Sequence, residues 1–451
     1  MTLVGGAFMV GARLHAWQDA LLQINRSSAQ ANALLKLTPE CSPVVLDKIS
    51  PNDSQNKELI CNVLKLLKTH YVEPVTAERE SALARGAARG ILASLNDTDS
   101  HFVDPTERKL LDEAAEGKFH GIGAILALRN EKIDKLDIMK IIVVAPMPGS
   151  PAEKAGLRTG DSITDINGKW IVTHDPFQEP GLKKLAEGVV NKEVDDFTYQ
   201  EALKAADKKL KEGVKILDAL ENLTAKSSEE ISIRVERPGR RKPIEFAMRC
   251  EDTQVDPVTS CMLKQDMAYV RISQFNTRAT KEFSEELDKA LAGHAKALVL
   301  DLRNNPGGSI SAATAITSKI TGGGKMATIQ EKTRSRILWA SKARRLDIPI
   351  AVLINEGTAS VAELAAGTLR DNATAALVGT KTFGDGLVQT PLLLRDGSAA
   401  ILTTGKMLTA KGLDFNRKGL KPDKTVLQPN NGHDVQLEKA EGILLTKLGK
   451  A

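Results

Sequence analysis

The chain has 451 residues, and at roughly 150 residues per domain this length predicts about three domains. Hydrophobic residues make up 42% of the chain and charged residues 26%, a composition typical of soluble globular proteins. The 62 basic and 57 acidic side chains give a net charge of only +5, and no long basic run with interleaved aromatic residues occurs. The composition therefore argues against a nucleic-acid-binding protein.

An apolar segment of small residues at 2–12 opens the chain and ends at Arg13. It is too short to span a bilayer, and it lacks the basic residues that begin a signal peptide. We expect it to be the rear part of a signal or anchor sequence that starts upstream of Met1. This predicts an exported protein, periplasmic or in the cell envelope, with membrane anchoring through the N-terminus as one form. A frayed apolar tail is the alternative.

Four cysteines, at positions 41, 61, 250 and 261, contain no C-x-x-C pair, which disfavours a zinc or redox motif. In an exported protein, Cys41 could pair with Cys61, and Cys250 with Cys261. Four free thiols are the alternative. The sequence predicts neither a metal site nor a cofactor.

Three early stretches carry apolar residues at helical spacing. They predict helices over 57–67, 78–95 and 106–116. We therefore expect a helical N-terminal domain at 46–118, which follows the apolar segment and a linker at 1–45.

The next part of the chain has short strands punctuated by turns. Residues 150–157, SPAEKAGL, predict a short helix with Ser150 as N-cap, Pro151 at the first position and Glu153 closing a capping box. A strand with alternating apolar residues then ends at Asn167-Gly168, a strong turn signal. The pattern is that of a small β domain.

A charged helical stretch interrupts this β pattern at about 170–228. It is followed by a predicted hairpin with strands at 229–237 and 242–248. Since strands lie on both sides of the helical stretch, we interpret 119–250 as one β domain with a helical insertion at about 170–228.

Strands and helices alternate in the last half of the chain. Strands are predicted at 267–272, 297–302 and 348–354, and helices at 280–291, from Ser309, and at 435–448 with Asp434 as N-cap. Such alternation with apolar strands predicts an α/β domain with a largely parallel, buried sheet over 251–451.

Ser360 lies where the strand 348–354 gives way to a helix of Ala-, Leu- and Glu-rich composition. A serine at this point can be an N-cap whose hydroxyl accepts from a free backbone N–H group. It can also be a nucleophile at the positive end of a helix, where backbone N–H groups stabilise a developing oxyanion. The local spacing alone leaves both open.

Several motifs occur in order along the chain: SPAEKAGL at 150–157, LVLDLRNNPGG at 298–308, GTAS at 357–360 with Glu363, KTFG at 381–384 with Gln389, and GLKPD at 419–423. In this order, from about Leu46 to the end, they resemble the carboxyl-terminal processing peptidases, also called tail-specific serine peptidases. The resemblance implies an α+β multidomain fold: a helical N-terminal region, a PDZ-like β domain with a helical insertion, and an α/β catalytic domain of the ClpP/crotonase-like type.

The resemblance also implies roles for individual residues. Ser360 matches the family's nucleophile, and Gln389 matches the glutamine that orients the general base. The oxyanion donors would be the N–H group of Val361 and that of Gly307 or Gly308.

One residue departs from the family's pattern. The family reads T-F-G-K-G, with a neutral lysine as general base, whereas this chain has Asp385 at the lysine position. Aspartate is shorter, and with an ordinary pKa of about 3.9 it is a much weaker base. Lys381 is four residues away along the chain, Lys406 is expected at the surface, and we interpret His101 and His120 as structural.

The PDZ-like region implies a second site. The loop Gly121, Ile122, Gly123 and Ala124 beside a strand edge could offer N–H groups to the carboxylate of a peptide C-terminus, and the strand edge could accept an added strand. A tight turn without a ligand is the alternative. The expected partners are therefore protein or peptide C-termini, while oligomerisation is left open.

Two functions remain after the sequence is read. The first is a serine endopeptidase that cleaves protein C-terminal regions, with activity weakened or lost because the base lysine is replaced by Asp385. The second is an inactive relative that captures peptide tails or regulates an active peptidase. Position 385 is the feature that separates them.

Overall fold

The computed structural model describes residues 51–95, 97, 99–133, 136–224, 229–341, 343–373, 375–429 and 433–449. The apolar segment 2–12 and Cys41 lie outside these residues. None of the helices within the described ranges is long and apolar enough to cross a membrane. The described chain forms two compact units, which divide at position 98.

The first unit contains two helices, α1 at Pro51–His70 and α2 at Ala77–Ala93. Thr76 caps α2 by accepting a hydrogen bond from the Arg79 N–H group at 3.3 Å. Both helices were predicted, and α1 begins earlier than expected.

The second unit begins with strand β1 at His101–Val103, helix α3 at Pro105–Ala115 and strand β2 at Lys118–Gly121. Strand β2 pairs antiparallel with β10 at Glu251–Gln254. Leu111 and Ala114 of α3 pack with Phe119, and with Ala399 from the far end of the chain. The predicted helical domain at 46–118 is therefore too long, because its third helix belongs to the core of the second unit.

A seven-stranded sheet forms the β domain. Its strands are β3 at Ala124–Ile133, β4 at Leu136–Pro146, β5 at Ser162–Ile166, β6 at Lys169–Val172, β7 at Val214–Lys215, β8 at Glu230–Glu236 and β9 at Ile244–Arg249. The order is β3-β4-β5-β6-β7, with β8 between β5 and β9, so β3 lies at an edge. The short helix α4, Pro151–Ala155, is capped by Ser150 as predicted.

The predicted insertion at 170–228 is too wide. Two added helices, α5 at Pro180–Val190 and α6 at Asp196–Glu212, lie between β6 and β7. Helix α7 at Ile216–Thr224 instead buries Leu220 and Leu223 in the core of the β domain. Its apolar residues cover the sheet, so α7 is part of the domain itself.

The possible disulfide between Cys250 and Cys261 is absent. Cys250 is buried against the Leu223 carbonyl at the end of α7, Cys261 is exposed, and both are free thiols. The pairing of Cys250 with Cys261 is therefore wrong. Cys61 is also free and exposed, and the position of Cys41 is outside the described residues.

The α/β domain contains a six-stranded sheet of order β11-β12-β13-β16-β17-β20. Its strands are β11 at Val258–Leu263, β12 at Met267–Ile272, β13 at Ala297–Asp301, β16 at Ile350–Ile354, β17 at Ala376–Gly379 and β20 at Lys424–Thr425. All neighbours are parallel except β11 and β12. The prediction of a largely parallel sheet is confirmed.

Helices cover both faces of this sheet. They are α8 at Ala279–Ala292, α9 at Ile310–Thr321, α10 at Val361–Ala373 and α11 at Val435–Leu448. Alternate residues of a strand face opposite sides. Leu298 and Leu300 therefore pack in the cluster with α8, α9 and α10, whereas Val299 packs with Ala440 and Leu444 of α11. Burial on both faces explains the continuous apolar strands of the sequence.

A second sheet in this domain is antiparallel and was not predicted. It contains β14 at Lys325–Glu331, β15 at Ser335–Trp339, β18 at Leu387–Leu393 and β19 at Ala399–Thr409, together with β1. Strand β15 is mostly exposed and β18 contains Pro391, so neither shows the apolar pattern of a buried strand.

We expect Asp161→Ala to destabilise the second unit strongly. Asp161 is fully buried and pairs with Arg237, with Nε–Oδ1 at 2.7 Å, and breaking a buried pair costs about 3–5 kcal/mol. Glu245→Ala removes an exposed pair with Arg234 and should cost much less, because water screens the two charges. Thermal unfolding of both variants checks this, and equal losses would contradict it.

Candidate active site

Ser360 occupies a strained turn between β16 and α10. Its φ of 54° lies in the left-handed region, which non-glycine residues seldom adopt. Ser309, at the start of α9, shows the contrast: its φ is −69° and its hydroxyl accepts from the Ala312 N–H group at 3.2 Å. The Ser360 hydroxyl has no such partner among the described residues. Ser309 therefore caps its helix with its side chain, whereas the Ser360 hydroxyl forms no such cap among the described residues.

Hydrogen bonds tie the Ser360 turn to the loop after β13. The Thr358 hydroxyl donates to the Leu302 carbonyl at 2.8 Å and accepts from the Asn355 N–H group at 3.0 Å. The Ala359 N–H group donates to the Asn305 carbonyl at 2.9 Å. Thr358 and Leu302 are 56 residues apart in the chain, and their hydrogen bond helps to hold the two motifs side by side.

Gly307 and Gly308 lie in this loop, with φ of 104° and 139°. A Cβ atom at Gly307 would lie 2.9 Å from Ser360 Cβ, so only glycine allows this approach. The Gly307 N–H group donates to Asn305 Oδ1 at 2.8 Å. Within the described part of the chain, the N–H groups of Gly308 and Val361 have no acceptor. Of the two glycines, Gly308 therefore has the N–H group that is free to bind an oxyanion.

A buried carboxylate joins the Ser360 turn to the loop that carries Asp385. Glu363 is 0% exposed, and its Oε2 accepts from the N–H groups of Ser360 at 3.0 Å and Asp385 at 2.8 Å. Its Oε1 accepts from the Gly384 N–H group at 2.9 Å and the Thr382 hydroxyl at 2.5 Å. Because one oxygen atom contacts both backbones, positions 360 and 385 are close neighbours.

The loop around Asp385 is tightly packed. Asp385 is 6% exposed, and the preceding Gly384 accepts from the Arg417 N–H group at 2.7 Å. A Cβ atom at Gly384 would lie 2.8 Å from the Gly419 nitrogen. The predicted base position is therefore buried beside Ser360, and an aspartate fills it.

Burial also changes the titration of Glu363. Loss of solvent raises its pKa to about 8, and the neighbouring charge of Asp385 acts in the same direction. The hydrogen bonds from Thr382 and from the N–H groups of Asp385 and Gly384 oppose this rise.

Gln389 lies on β18 and is 2% exposed. Its Nε2 donates to the Thr403 hydroxyl on β19 at 2.9 Å. The structure therefore holds the predicted orienting glutamine through a cross-strand partner that the motifs did not indicate.

Neither a lysine nor a histidine among the described residues hydrogen-bonds to Ser360. Lys381 is exposed. Lys406 is partly exposed, and its amine lies 2.7 Å from Asp414 Oδ2. His101 Nδ1 contacts the Asp99 carbonyl, and His120 lies between two carboxylates, so both make structural contacts away from Ser360.

The predicted carboxylate loop of the β domain is partly occupied by the chain itself. The Ile122 N–H group donates to the Leu223 carbonyl at the end of α7, at 2.9 Å, and the Ile122 side chain is 1% exposed. A Cβ atom at Gly121 would lie 2.3 Å from that carbonyl oxygen. The Gly123 N–H group has no acceptor among the described residues, and Ala124 begins the edge strand β3.

The β domain contacts both loops of the site. The Arg129 guanidinium of β3 lies 4.7 Å from the centroid of the Phe383 ring, two residues before Asp385. Thr159 donates to Asn304 Oδ1 at 3.2 Å in the loop that carries Gly307 and Gly308.

Comparison with known proteins agrees with this architecture. Residues 266–426 match peptidase family S41, and residues 142–176 match the PDZ domain family. The region 266–426 thus carries the match to a serine-type peptidase family, and a PDZ domain match precedes it in the chain. The resemblance drawn from the motifs is confirmed.

Curated relatives carry matching names. The carboxy-terminal processing protease CtpA of Bacillus subtilis (strain 168) is 28% identical over 394 residues, 87% of this chain and 73% of that protein. A probable CtpA-like serine protease of Staphylococcus aureus (strain bovine RF122 / ET3-1) is 29% identical over 388 residues, 85% of this chain and 67% of that protein.

A solved structure shares the fold. The photosystem II D1 C-terminal processing protease superposes with a TM-score of 0.60 at 23% identity, covering 88% of this chain and 98% of that one. At this level of identity, the likeness shows a shared fold.

Sequence reasoning missed the connecting role of Glu363 and the partner Thr403. Glu363 stands in the nucleophile motif, so its position three residues after Ser360 was a usable signal for a first-turn helix carboxylate. Thr403 had no local signal, because its contact depends on the register of two strands.

We expect Glu363→Gln to destabilise the second unit, because the amide would place an NH2 group against N–H and O–H donors that now bind the Glu363 oxygens. Since the folded-state pKa of about 8 exceeds the ordinary 4.5, Glu363 stabilises the fold fully below pH 4.5, and this contribution falls as pH rises towards 8. The stability difference between wild type and variant should therefore shrink from pH 5 to pH 8.

Urea unfolding across this pH range measures the difference, with Glu356→Gln as an exposed control in the same turn. A gap that stays constant with pH would contradict the raised pKa.

We expect Gly307→Ala to cost more stability than Gly412→Ala. Both glycines have positive φ, and a side chain there costs about 1–2 kcal/mol. A Cβ atom at Gly412 meets nothing within 4 Å, whereas at Gly307 it would lie 2.9 Å from Ser360 Cβ. Differential scanning calorimetry compares them, and equal melting temperatures would argue against the close packing at Ser360.

Proposed function

We propose that the chain is a serine endopeptidase that cleaves C-terminal regions of proteins, with low activity because Asp385 occupies the base position. One observation supports this above all: Ser360 adopts a left-handed backbone beside the two unoccupied N–H groups of Gly308 and Val361. Backbone strain of this kind costs about 1–3 kcal/mol and concentrates at functional sites.

In the proposed reaction, the Ser360 hydroxyl attacks the peptide carbonyl carbon. The N–H groups of Gly308 and Val361 stabilise the negative charge that develops on the carbonyl oxygen. The hydroxyl proton needs an acceptor within hydrogen-bond reach. Asp385 occupies the base position, and its N–H group and that of Ser360 bind the same oxygen of Glu363. Its carboxylate would take this proton inefficiently, since the ordinary pKa of aspartate is about 3.9.

The substrate class follows from the PDZ domain and the relatives. The edge strand β3 and the loop at 121–124 suit an extended chain end that adds as a strand and places its carboxylate near the Gly123 N–H group. Because Ile122 donates to Leu223, such a carboxylate would use Gly123 or displace α7. Carboxy-terminal processing, named for the Bacillus subtilis relative, fits this mode of capture. Export and membrane anchoring remain predictions from the sequence.

A second candidate is an inactive protein that binds peptide tails. It is favoured by the same position: Asp385 stands where the family has its lysine, and no lysine within the described residues hydrogen-bonds to Ser360. Such a protein would keep the PDZ groove and lose turnover.

Cleavage of an unstructured protein such as casein by wild type, Ser360→Ala, Asp385→Asn and Asp385→Lys separates the two. We expect slow cleavage by wild type, none by Ser360→Ala, less by Asp385→Asn, and an increase of at least about tenfold for Asp385→Lys, since a deprotonated amine is the stronger base. Mass spectrometry of the products locates the cleaved bonds.

Each outcome supports or contradicts one of the two functions. Wild-type turnover that survives in Ser360→Ala would overturn Ser360 as nucleophile. No turnover in wild type, together with binding of C-terminal peptides and a gain in Asp385→Lys, would support the binding protein. Equal rates for wild type and Asp385→Asn would remove Asp385 from the reaction.

A further inference from the structure

Strand β19 has a gap in its backbone pairing beside the active site. One side pairs with β18 along the strand, from Leu387 opposite Lys406 to Leu393 opposite Ala399. The other side pairs with β1 at 399–401 and with β14 at 405–409. On this second side, residues 402–404 lie between the β1 and β14 ladders, so a backbone N–H group that points there needs another acceptor.

Ser100 fills this gap with its side chain. It directly precedes β1, is 7% exposed, and its hydroxyl oxygen accepts from the Thr403 N–H group at 2.9 Å. A buried serine hydroxyl thus takes the place of the missing strand carbonyl and fixes the backbone of Thr403.

Thr403 in turn holds Gln389. Its hydroxyl oxygen lies 2.9 Å from Gln389 Nε2 and 3.3 Å from Gln389 Oε1. A register shift between Val388 and Gln389 brings this about: Val388 lies opposite Gly405, and Gln389 lies opposite Thr403. A bulge of this kind turns a side chain towards a new partner.

We propose that Ser100 and Thr403 are positioning residues that fix the amide of Gln389 for the residue at position 385. The inference rests on the proposed function, in which this glutamine orients the base. The Thr403 hydroxyl accepts from Gln389 Nε2 at 2.9 Å and can also donate to Gln389 Oε1 at 3.3 Å, so it holds both ends of the amide, whose oxygen has a second lone pair for another donor. An amide oxygen accepts a hydrogen bond from a lysine amine, but a carboxylate such as Asp385 offers it no donor when ionised.

This arrangement suits a lysine better than the aspartate that is present. Fixing the amide through Thr403 is useful when position 385 carries a donor. The contacts that run from Ser100 through Thr403 to Gln389 should therefore affect catalysis most in Asp385→Lys and least in the wild type.

The test combines Asp385→Lys with Ser100→Ala, Thr403→Val or Thr403→Ser. Thr404→Val is the matched control, because the Thr404 hydroxyl bonds to Thr390 across the same two strands at 2.6 Å and does not contact Gln389. The measurements are kcat and KM for casein cleavage against pH, melting temperatures, and crystal structures that show the Gln389 conformation.

We expect Thr403→Val to lower kcat about tenfold with little change in KM and to move the acidic limb of the pH profile, since the base is less well oriented. Ser100→Ala should act in the same direction, Thr403→Ser should restore kcat, and Thr404→Val should leave kcat unchanged. In crystals of Thr403→Val, Gln389 should adopt a different rotamer.

Equal kcat values for Thr403→Val and Thr404→Val, with Gln389 unmoved, would overturn the inference. A matching loss of melting temperature and kcat in both variants would do the same, because it would assign Thr403 a general structural role. If turnover survives in Ser360→Ala, the proposed function fails, whereas the Gln389 rotamer in Thr403→Val still decides whether Ser100 and Thr403 position Gln389.

Discussion

The carboxylate of Glu363 is the interaction on which the site depends. It is fully buried and accepts four hydrogen bonds, from the backbones at 360, 384 and 385 and from the Thr382 hydroxyl. Its place in the first turn of α10 adds the favourable field of the helix N-terminus. A single side chain therefore fixes the distance between the Ser360 turn and the loop that carries Asp385.

This dependence gives the substitution at position 385 an electrostatic consequence. A neutral lysine there would add no charge beside Glu363. Asp385 instead brings two carboxylates together, and its charge contributes to the raised pKa of Glu363. A like charge in a low-dielectric interior disfavours the ionised form of Glu363. The replacement thus changes the electrostatics of the whole turn as well as the strength of the base.

The PDZ domain is part of the same arrangement. Its Arg129 stacks on Phe383 next to the base position, and its Thr159 contacts Asn304 in the glycine loop. Both loops of the site therefore contact the PDZ domain. The end of α7 also contacts the predicted carboxylate loop, because the Ile122 N–H group donates to the Leu223 carbonyl.

The sequence by itself determined the parallel sheet, its helices, the caps Ser150 and Asp434, and the identity of the family, because these depend on local periodicity and on motifs contiguous in the chain. It could not decide whether Ser360 caps a helix, since that depends on a left-handed φ imposed by distant contacts. Nor could it find the antiparallel sheet, the limits of the insertion or the partner Thr403. These were decided by pairing between residues far apart in sequence, where register and burial leave no local pattern.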